Sequence, residues 1–198
     1  MKRLIAVFVA GIIAMSWFGP VSALNYGAGQ YGKCQYGSCG ITITSSGTVN
    51  LAITPTGSAT CTINNDVVQV TTGATTGYTL QLASTSSSTN LLGVNFAGTI
   101  PGNGGSFASP ASLAVNTWGY RVDGKGGFGA GPTSAATNTS IPGLSFATLP
   151  VNASPTTLLT TSAAASAEVT DIWYGACADT TKAVDTYSRD VVYTAMTN

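Results

Sequence analysis

Apolar and polar residues alternate along most of the chain after Gly40, in short stretches separated by Gly, Ser, Asn and Pro. A period of two is typical of a strand with one buried face. Turn residues recurring about every 8–12 positions are typical of antiparallel sandwiches and barrels. We therefore predict an all-β fold, a single antiparallel β-sandwich of the immunoglobulin-like or Greek-key type over residues 41–198. The clearest stretches are Ile41–Thr44, Val49–Thr54, Cys61–Ile63, Val68–Thr71, Tyr78–Leu82, Thr117–Val122, Leu144–Leu149, Ala167–Ala178 and Tyr187–Ala195.

The first 23 residues follow a different pattern, in which an apolar run from Leu4 to Phe18 comes after Lys2 and Arg3. Gly19-Pro20 ends the run, and small residues follow up to Ala23. This order is typical of a secretory signal. The run is shorter than the roughly 20 residues that a membrane-spanning helix needs. We predict that residues 1–23 form a signal helix that is removed, and that the mature protein is secreted, extracellular or at the cell surface.

Residues 24–40 are rich in Gly, and a Tyr-Gly pair recurs at Tyr26, Tyr31 and Tyr36. A spacing of five matches neither the strand period nor the helix period. The segment is predicted to be a flexible arm. It is either a spacer, which we favour, or an aromatic arm that docks on another subunit or on a wall polymer.

The chain has four cysteines, and an even number in a secreted protein indicates disulfides. Three pairings are open. We favour Cys34 with Cys39, which are close in sequence, and Cys61 with Cys177, which would join the start of the domain to its end. A zinc site of four thiolates is the alternative, but paired cysteines at zinc-ligand spacing are missing.

Charged residues make up only 7% of the chain. Without residues 1–23, five basic residues face seven acidic ones, so the net charge is −2. This balance argues against a nucleic-acid binder and against a polybasic membrane patch. Low charge also weakens repulsion between copies and permits self-association. The sequence contains no His, and His is the commonest general base and metal ligand.

Other candidate chemistry is weak. Gly124–Gly129 matches G-x-G-x-x-G, but the helix and the downstream acid of a dinucleotide site are missing. Glu168 with Asp171, and Asp185 with Asp190, are better explained as edge charges and turn residues than as catalytic pairs. A calcium site in a loop lined by Asp179, Asp185 and nearby carbonyls stays open as an alternative, although the D-x-D-x-D-G series of a calcium loop is missing. We predict that the protein is not an enzyme and needs no cofactor or metal.

Four aromatic residues are the best candidates for ligand contact, since exposed aromatic rings can stack on sugars. They are Trp118, Tyr120, Trp173 and Tyr174. The alternative is that they fill the core. Trp173 and Tyr174 are adjacent and must point to opposite faces of a strand, so we expect one of them to face outward.

Several strand motifs carry a family resemblance over about residues 41–198. They are Ser58–Ile63, Thr76–Leu80, Asn116–Tyr120 and Asp185–Ala195. Together they resemble the secreted, Ser/Thr-rich β-sandwich surface proteins of candidate-phyla bacteria, and more distantly the spore-coat-U and fimbrial-subunit group. The resemblance implies a surface location and a sandwich fold.

These observations predict a secreted or cell-surface structural or interaction protein, such as an adhesin, a coat protein or a filament subunit. An extracellular carbohydrate-binding module is the alternative. The expected partners are further copies of the chain or a surface glycan; nucleic acid is not expected, nor is a membrane span in the mature chain. An open edge strand could accept a neighbour's arm by β-augmentation, with residues 24–54 as the donor.

Overall fold

The computed structural model describes residues 40–55 and 58–198, together with the main chain of residues 5–9. Within these ranges the chain forms strands and no helix, and every pair of named strands is antiparallel. The predicted all-β, antiparallel fold is confirmed. The strands are β1 (Ile5–Val9), β2 (Ile41–Ser45), β3 (Val49–Ile53), β4 (Thr60–Thr72), β5 (Tyr78–Ser84), β6 (Leu91–Gly93), β7 (Thr99–Ile100), β8 (Ala111–Ser112), β9 (Trp118–Val122), β10 (Ala136–Thr139), β11 (Ser145–Phe146), β12 (Thr156–Thr160), β13 (Ala165–Ala178), β14 (Tyr187–Ser188) and β15 (Val191–Thr197).

The largest sheet is built on β4 and β13, the two longest strands, which pair along almost their whole length. Its order is β10-β4-β13-β9, and β2 also pairs with β4. Along β4 the side chains of Val68 and Val70 are fully buried while Gln69 is exposed. This is the alternation expected of a strand with one face on the core.

The remaining long strands form a second sheet, with the order β12-β5-β15. Strand β6 follows β5 along the chain and β14 precedes β15, so the pairing of β14 with β6 continues that of β15 with β5. Apolar side chains from both sheets meet in one buried cluster. It includes Val70, Leu80, Leu82, Tyr120, Ile172, Tyr174 and Val191.

The predicted signal helix is not confirmed. Its five described residues, Ile5–Val9, form strand β1, which pairs with β3. Pairing with an available strand edge outweighs local helix preference, because strand formation depends strongly on context. The other predicted signal residues, and residues 24–39 of the predicted arm, lie outside the described residues. Among those described, no helix is long and apolar enough to cross a membrane.

Candidate functional site

The four aromatic residues proposed for ligand contact lie inside the protein. Trp118, Tyr120 and Tyr174 are completely buried, and Trp173 is 5% exposed. We expected Trp173 or Tyr174 to face outward, and that expectation is wrong. The two side chains leave β13 on opposite faces, but both faces are covered at this point of the sheet. In the described structure these residues therefore do not form an exposed platform for sugar rings.

The core aromatics hold one another in place. The rings of Trp118 and Tyr174 are stacked with their centroids 6.5 Å apart, and Trp118 Nε1 donates a hydrogen bond to the Thr89 carbonyl at 2.9 Å. The hydroxyl groups of Tyr174 and Tyr193 are 2.6 Å apart. Burial raises the pKa of Tyr174 far above its ordinary value and that of Tyr120 to about 12. The phenols therefore stay neutral and serve packing.

Arg121 explains why the outer face of β9 is covered. Its side chain is completely buried, and Nη2 donates hydrogen bonds to the carbonyls of Phe128, Gly129 and Ala130 at 3.0, 3.3 and 3.4 Å. Burial lowers the pKa of Arg121, although the nearby Asp123 acts in the opposite direction. The guanidinium thus pins the Gly-rich segment after β9 to the sheet.

The G-x-G-x-x-G stretch lies within this pinned segment. The Gly124 N–H donates to the Gly129 carbonyl at 3.0 Å, and both residues have positive φ. Glycine adopts that backbone conformation without strain. The stretch is a tight turn and no helix follows it.

Glu168 and Asp171, one of the two acidic pairs considered in the sequence, lie beside the same pocket. This shallow pocket has a volume of about 170 Å³, and Asp123 and Lys125 also line it. Among the described residues there is no group of three or more ligand-type side chains that could hold a metal ion.

Asp185 instead fixes a distant loop. It accepts hydrogen bonds from the main-chain N–H groups of Asn95, Phe96 and Thr186, and from the Asn95 side-chain amide at 2.7 Å. Burial alone would raise the pKa of Asp185, but these bonds favour the charged form and bring the pKa below 3.8. Asp185 is a structural anchor between the chain before β14 and the turn after β6.

The long-range disulfide predicted from the sequence is confirmed. Cys61 on β4 and Cys177 on β13 are direct cross-strand partners, with their Cα atoms 4.0 Å apart, and they are joined by an S–S bond. They lie 116 residues apart in sequence. Cys34 and Cys39 lie outside the described residues, so their pairing stays a prediction.

One strand edge is unlike the others. Strand β3 pairs along its backbone with β1 and with no other described strand, from Ile5 opposite Ile53 to Val9 opposite Val49. Strand β1 also passes close to β14. Strand β1 therefore lies beside both β3 and β14.

The opposite edge of β3 is held by side chains of β4. Thr62 Oγ1 donates to the Ala52 carbonyl at 2.7 Å, and Asn64 Nδ2 donates to the Asn50 carbonyl at 3.3 Å. Backbone groups of successive strand residues point to opposite edges. The N–H and C=O groups of Val49, Leu51 and Ile53 therefore point toward β1.

The same three residues of β3 carry the core contacts of this strand. The exposed fractions of Val49, Leu51 and Ile53 are 2%, 0% and 0%, whereas Asn50 and Ala52 are exposed. The position of β1 therefore covers the hydrogen-bonding edge of β3, beside three side chains that β3 buries in the core. We call it the β3 groove, bounded by Val49–Ile53 and by β14.

Comparisons of the chain with protein-family models, with curated proteins and with solved structures found no match. The functional assignment below rests on the sequence and on the geometry just described.

Sequence reasoning missed the β3 groove, the anchor at Asp185 and the buried guanidinium of Arg121. Asp185 and Asn95 are 90 residues apart, so no local pattern could join them. The groove could have been suspected from one feature only. Val49–Ile53 alternates as a strand should. The residues between Pro55 and Cys61 are too few and too rich in turn formers to form a hairpin strand that would pair with it.

Proposed function

We propose that the protein is exported and acts at the cell surface as a non-catalytic structural or interaction subunit that joins other copies by β-strand addition. It would serve as an adhesin, coat or filament subunit. The proposal includes the predicted immunoglobulin-like or Greek-key arrangement, in which a missing strand can be supplied from outside.

The position of β1 is the observation that carries this proposal. Ile5–Val9 belongs to the predicted signal peptide, yet it supplies the backbone partner of β3. Cleavage after Ala23 would remove it. The main-chain groups of Val49, Leu51 and Ile53 would then lose their partners along the edge of β3. Residues 41–54 of the predicted donor segment are not available as a donor, because they form β2 and β3 of the chain's own fold.

An open groove of this kind favours strand addition. Unpaired strand edges are templates for another chain, and an added strand gains main-chain hydrogen bonds together with pockets for alternate side chains. Repulsion between copies is weak, since charged residues are scarce. The Cys61–Cys177 disulfide is in keeping with an oxidising compartment outside the cytoplasm.

Light scattering behind size exclusion tests the proposal. The sample is the oxidised protein collected after export from cells that express the full chain, with its N-terminus verified by mass spectrometry. We expect the mass to rise with concentration, or a polymer to form. A processed chain that stays monomeric at every concentration would contradict the proposal; if that monomer bound polysaccharides on an array, the carbohydrate-binding alternative would replace it.

A further inference from the structure

We propose that the pocket beside β13 binds a primary alkylammonium group, with the carboxylate of Glu168 as its counter-ion. This inference goes beyond the proposed function and does not depend on it. None of the residues that line the pocket belongs to β1, β3 or β14, so its ligand can be tested whether or not copies of the chain associate.

The pocket forms where β9 ends and β13 continues. Strand β9 pairs with β13 as far as Val122 and then turns away. Among the described residues, 169–171 therefore pair with β4 on one edge and with no strand on the other. The main-chain N–H of Cys177 donates toward the β9 side. The main-chain groups of Asp171 and Val169, an even number of positions away, point to the same side and thus toward the gap.

Glu168 and Thr170 project from this stretch toward the interior. They lie opposite Val70 and Val68 of β4, whose side chains are buried in the core. Directly opposite residues of paired strands lie on the same face of the sheet. Thr170 is 5% exposed and Glu168 is half-buried. Because both residues line the pocket, its inner wall carries a carboxylate and a hydroxyl group.

Glu168 differs from the other two acidic residues at the pocket. Asp171 accepts a hydrogen bond from the Asn65 side-chain amide at 3.1 Å. Asp123 accepts one from the Gly131 N–H. Within the described part of the chain, the carboxylate of Glu168 forms no ion pair. A half-buried carboxylate without a cation is costly, so this one favours a positively charged ligand.

A buried phenol lies beside the same carboxylate. Tyr78 is completely buried, and in the described structure its hydroxyl reaches no partner at hydrogen-bonding distance. Burial raises the pKa of Tyr78 to about 12, and the nearby charge of Glu168 acts in the same direction. Buried polar groups normally have partners. Two groups that lack a strong partner therefore meet at the pocket.

The charge and the volume of the pocket define the class of ligand. Three carboxylates face a single ammonium group, that of Lys125, so a cation is favoured over an anion. The volume of about 170 Å³ corresponds to about five or six water-sized atoms. This space suits a short amine and is too small for a sugar ring. A metal ion is not favoured, since the described residues include no group of three or more ligand-type side chains that could hold one.

A primary alkylammonium ion matches the lining of the pocket. It has three N–H donors, and the acceptors on the pocket wall are the Glu168 carboxylate, the Thr170 hydroxyl oxygen and the main-chain carbonyls of residues 169–171. The carbon chain of the ligand would contact Val122 and Leu159, which also line the pocket. The ligand would thus satisfy the carboxylate and bury its own apolar part.

Saturation-transfer NMR on the exported full chain tests the inference, because it detects weak ligands on monomers and on assemblies alike. The probe is the n-butylammonium ion, and n-butanol, which has the same length, is its neutral control. At constant ionic strength, we expect butylammonium to bind at least about tenfold more tightly than butanol, because hydrogen bonds between charged groups are the stronger ones.

Three substitutions locate the binding. Glu168→Gln should weaken the binding of butylammonium at least about tenfold and leave that of butanol unchanged. Asp190→Asn is the matched control, since it removes the same charge outside the pocket, and it should change the affinity less than about twofold. Lys125→Met removes the competing cation and should tighten the binding of butylammonium. Circular dichroism of the variants verifies that they are folded.

A lysine derivative separates the two sources of an alkylammonium group. Nα-acetyl-lysine methylamide carries the ammonium group on a side chain, as a protein partner would. If it binds at least as tightly as butylammonium, the ligand is a lysine side chain. If it binds more weakly while butylammonium keeps its advantage over butanol, the pocket takes a free amine. Both results uphold the alkylammonium site.

The inference would be overturned if butylammonium bound no better than butanol, or if Glu168→Gln and Asp190→Asn lost binding equally. Weaker binding in Lys125→Met would overturn it as well, because the pocket would then favour an anion. The carboxylate of Glu168 would in each case serve only to keep other strands from the free edge of β13. None of these results bears on the association of copies, which light scattering measures.

Discussion

The side chain of Thr62 donates a hydrogen bond to the main-chain oxygen of Ala52 at 2.7 Å, where a backbone ladder would otherwise run between β4 and β3. Thr62 is almost completely buried. Together with Asn64, it ties β3 to the large sheet through side chains. Strand β3 is therefore held to the large sheet by side chains on one edge, while its other edge pairs with β1.

Thr62→Val removes this hydrogen bond while keeping the shape of the side chain. We expect the free energy of unfolding to fall by about 1–3 kcal/mol, because the Ala52 carbonyl and the Asn138 N–H both lose the Thr62 hydroxyl as their partner. Thr60→Val is the matched control on the same strand, since Thr60 Oγ1 is buried without a hydrogen-bond partner. The control should lie within about 0.5 kcal/mol of the wild type or be more stable. Urea denaturation of the wild type and the two variants measures the difference. Equal losses of stability in both variants would show that the Thr62 hydrogen bond does not stabilise the fold.

Asp185→Asn should weaken the anchor between the chain before β14 and the turn after β6. The pKa of Asp185 lies below 3.8 in the folded protein because of its hydrogen bonds, so the stability it contributes is complete at neutral pH. This contribution is lost as the pH falls below 3.8 and through the folded-state pKa. Denaturation midpoints should therefore differ between variant and wild type at pH 7 and converge in acid. A difference that stays constant down to pH 2 would contradict the assigned role of the charge.

The Cys61–Cys177 disulfide should stabilise the fold strongly, because it closes a long loop of the unfolded chain. A chain-entropy treatment gives about 4–5 kcal/mol for a loop of this length. The Cys61→Ala, Cys177→Ala double variant should lose stability of this order in chemical denaturation. A loss below about 1 kcal/mol would mean that the unfolded chain without the disulfide still keeps contacts between the segments that form β4 and β13.

Arg121→Met should release the Gly-rich segment after β9, because the carbonyls of Phe128, Gly129 and Ala130 lose their shared donor. We expect a loss of about 2–4 kcal/mol in stability and faster cleavage after the exposed Lys125 by a lysine-specific protease. Cleavage after Lys182, which lies in another loop, serves as the internal reference. Unchanged cleavage at Lys125 would show that the segment is held by other contacts.

The sequence predicted the longer alternating strands, because alternation records directly which residues face the core, but it missed β10 and β12. It favoured the Cys61–Cys177 pairing because Cys34 and Cys39 are close in sequence, which leaves Cys61 and Cys177 as partners. It could not predict the burial of Trp173, since alternation distinguishes the two faces of a strand but does not show whether the outer face is covered. Strand β1 was missed because the apolar run from Leu4 to Phe18 is continuous and has no period of its own.

The measurement that tests the central claim most directly is hydrogen exchange at the main-chain amides of Val49, Leu51 and Ile53 in the exported protein, followed over a series of protein concentrations. These amides point into the β3 groove, so their protection reports whether a strand fills it. We predict fast exchange in dilute samples and protection that grows with concentration, in parallel with the mass from light scattering. Exchange that is independent of concentration, whether fast throughout or slow in a monomer, would contradict the account.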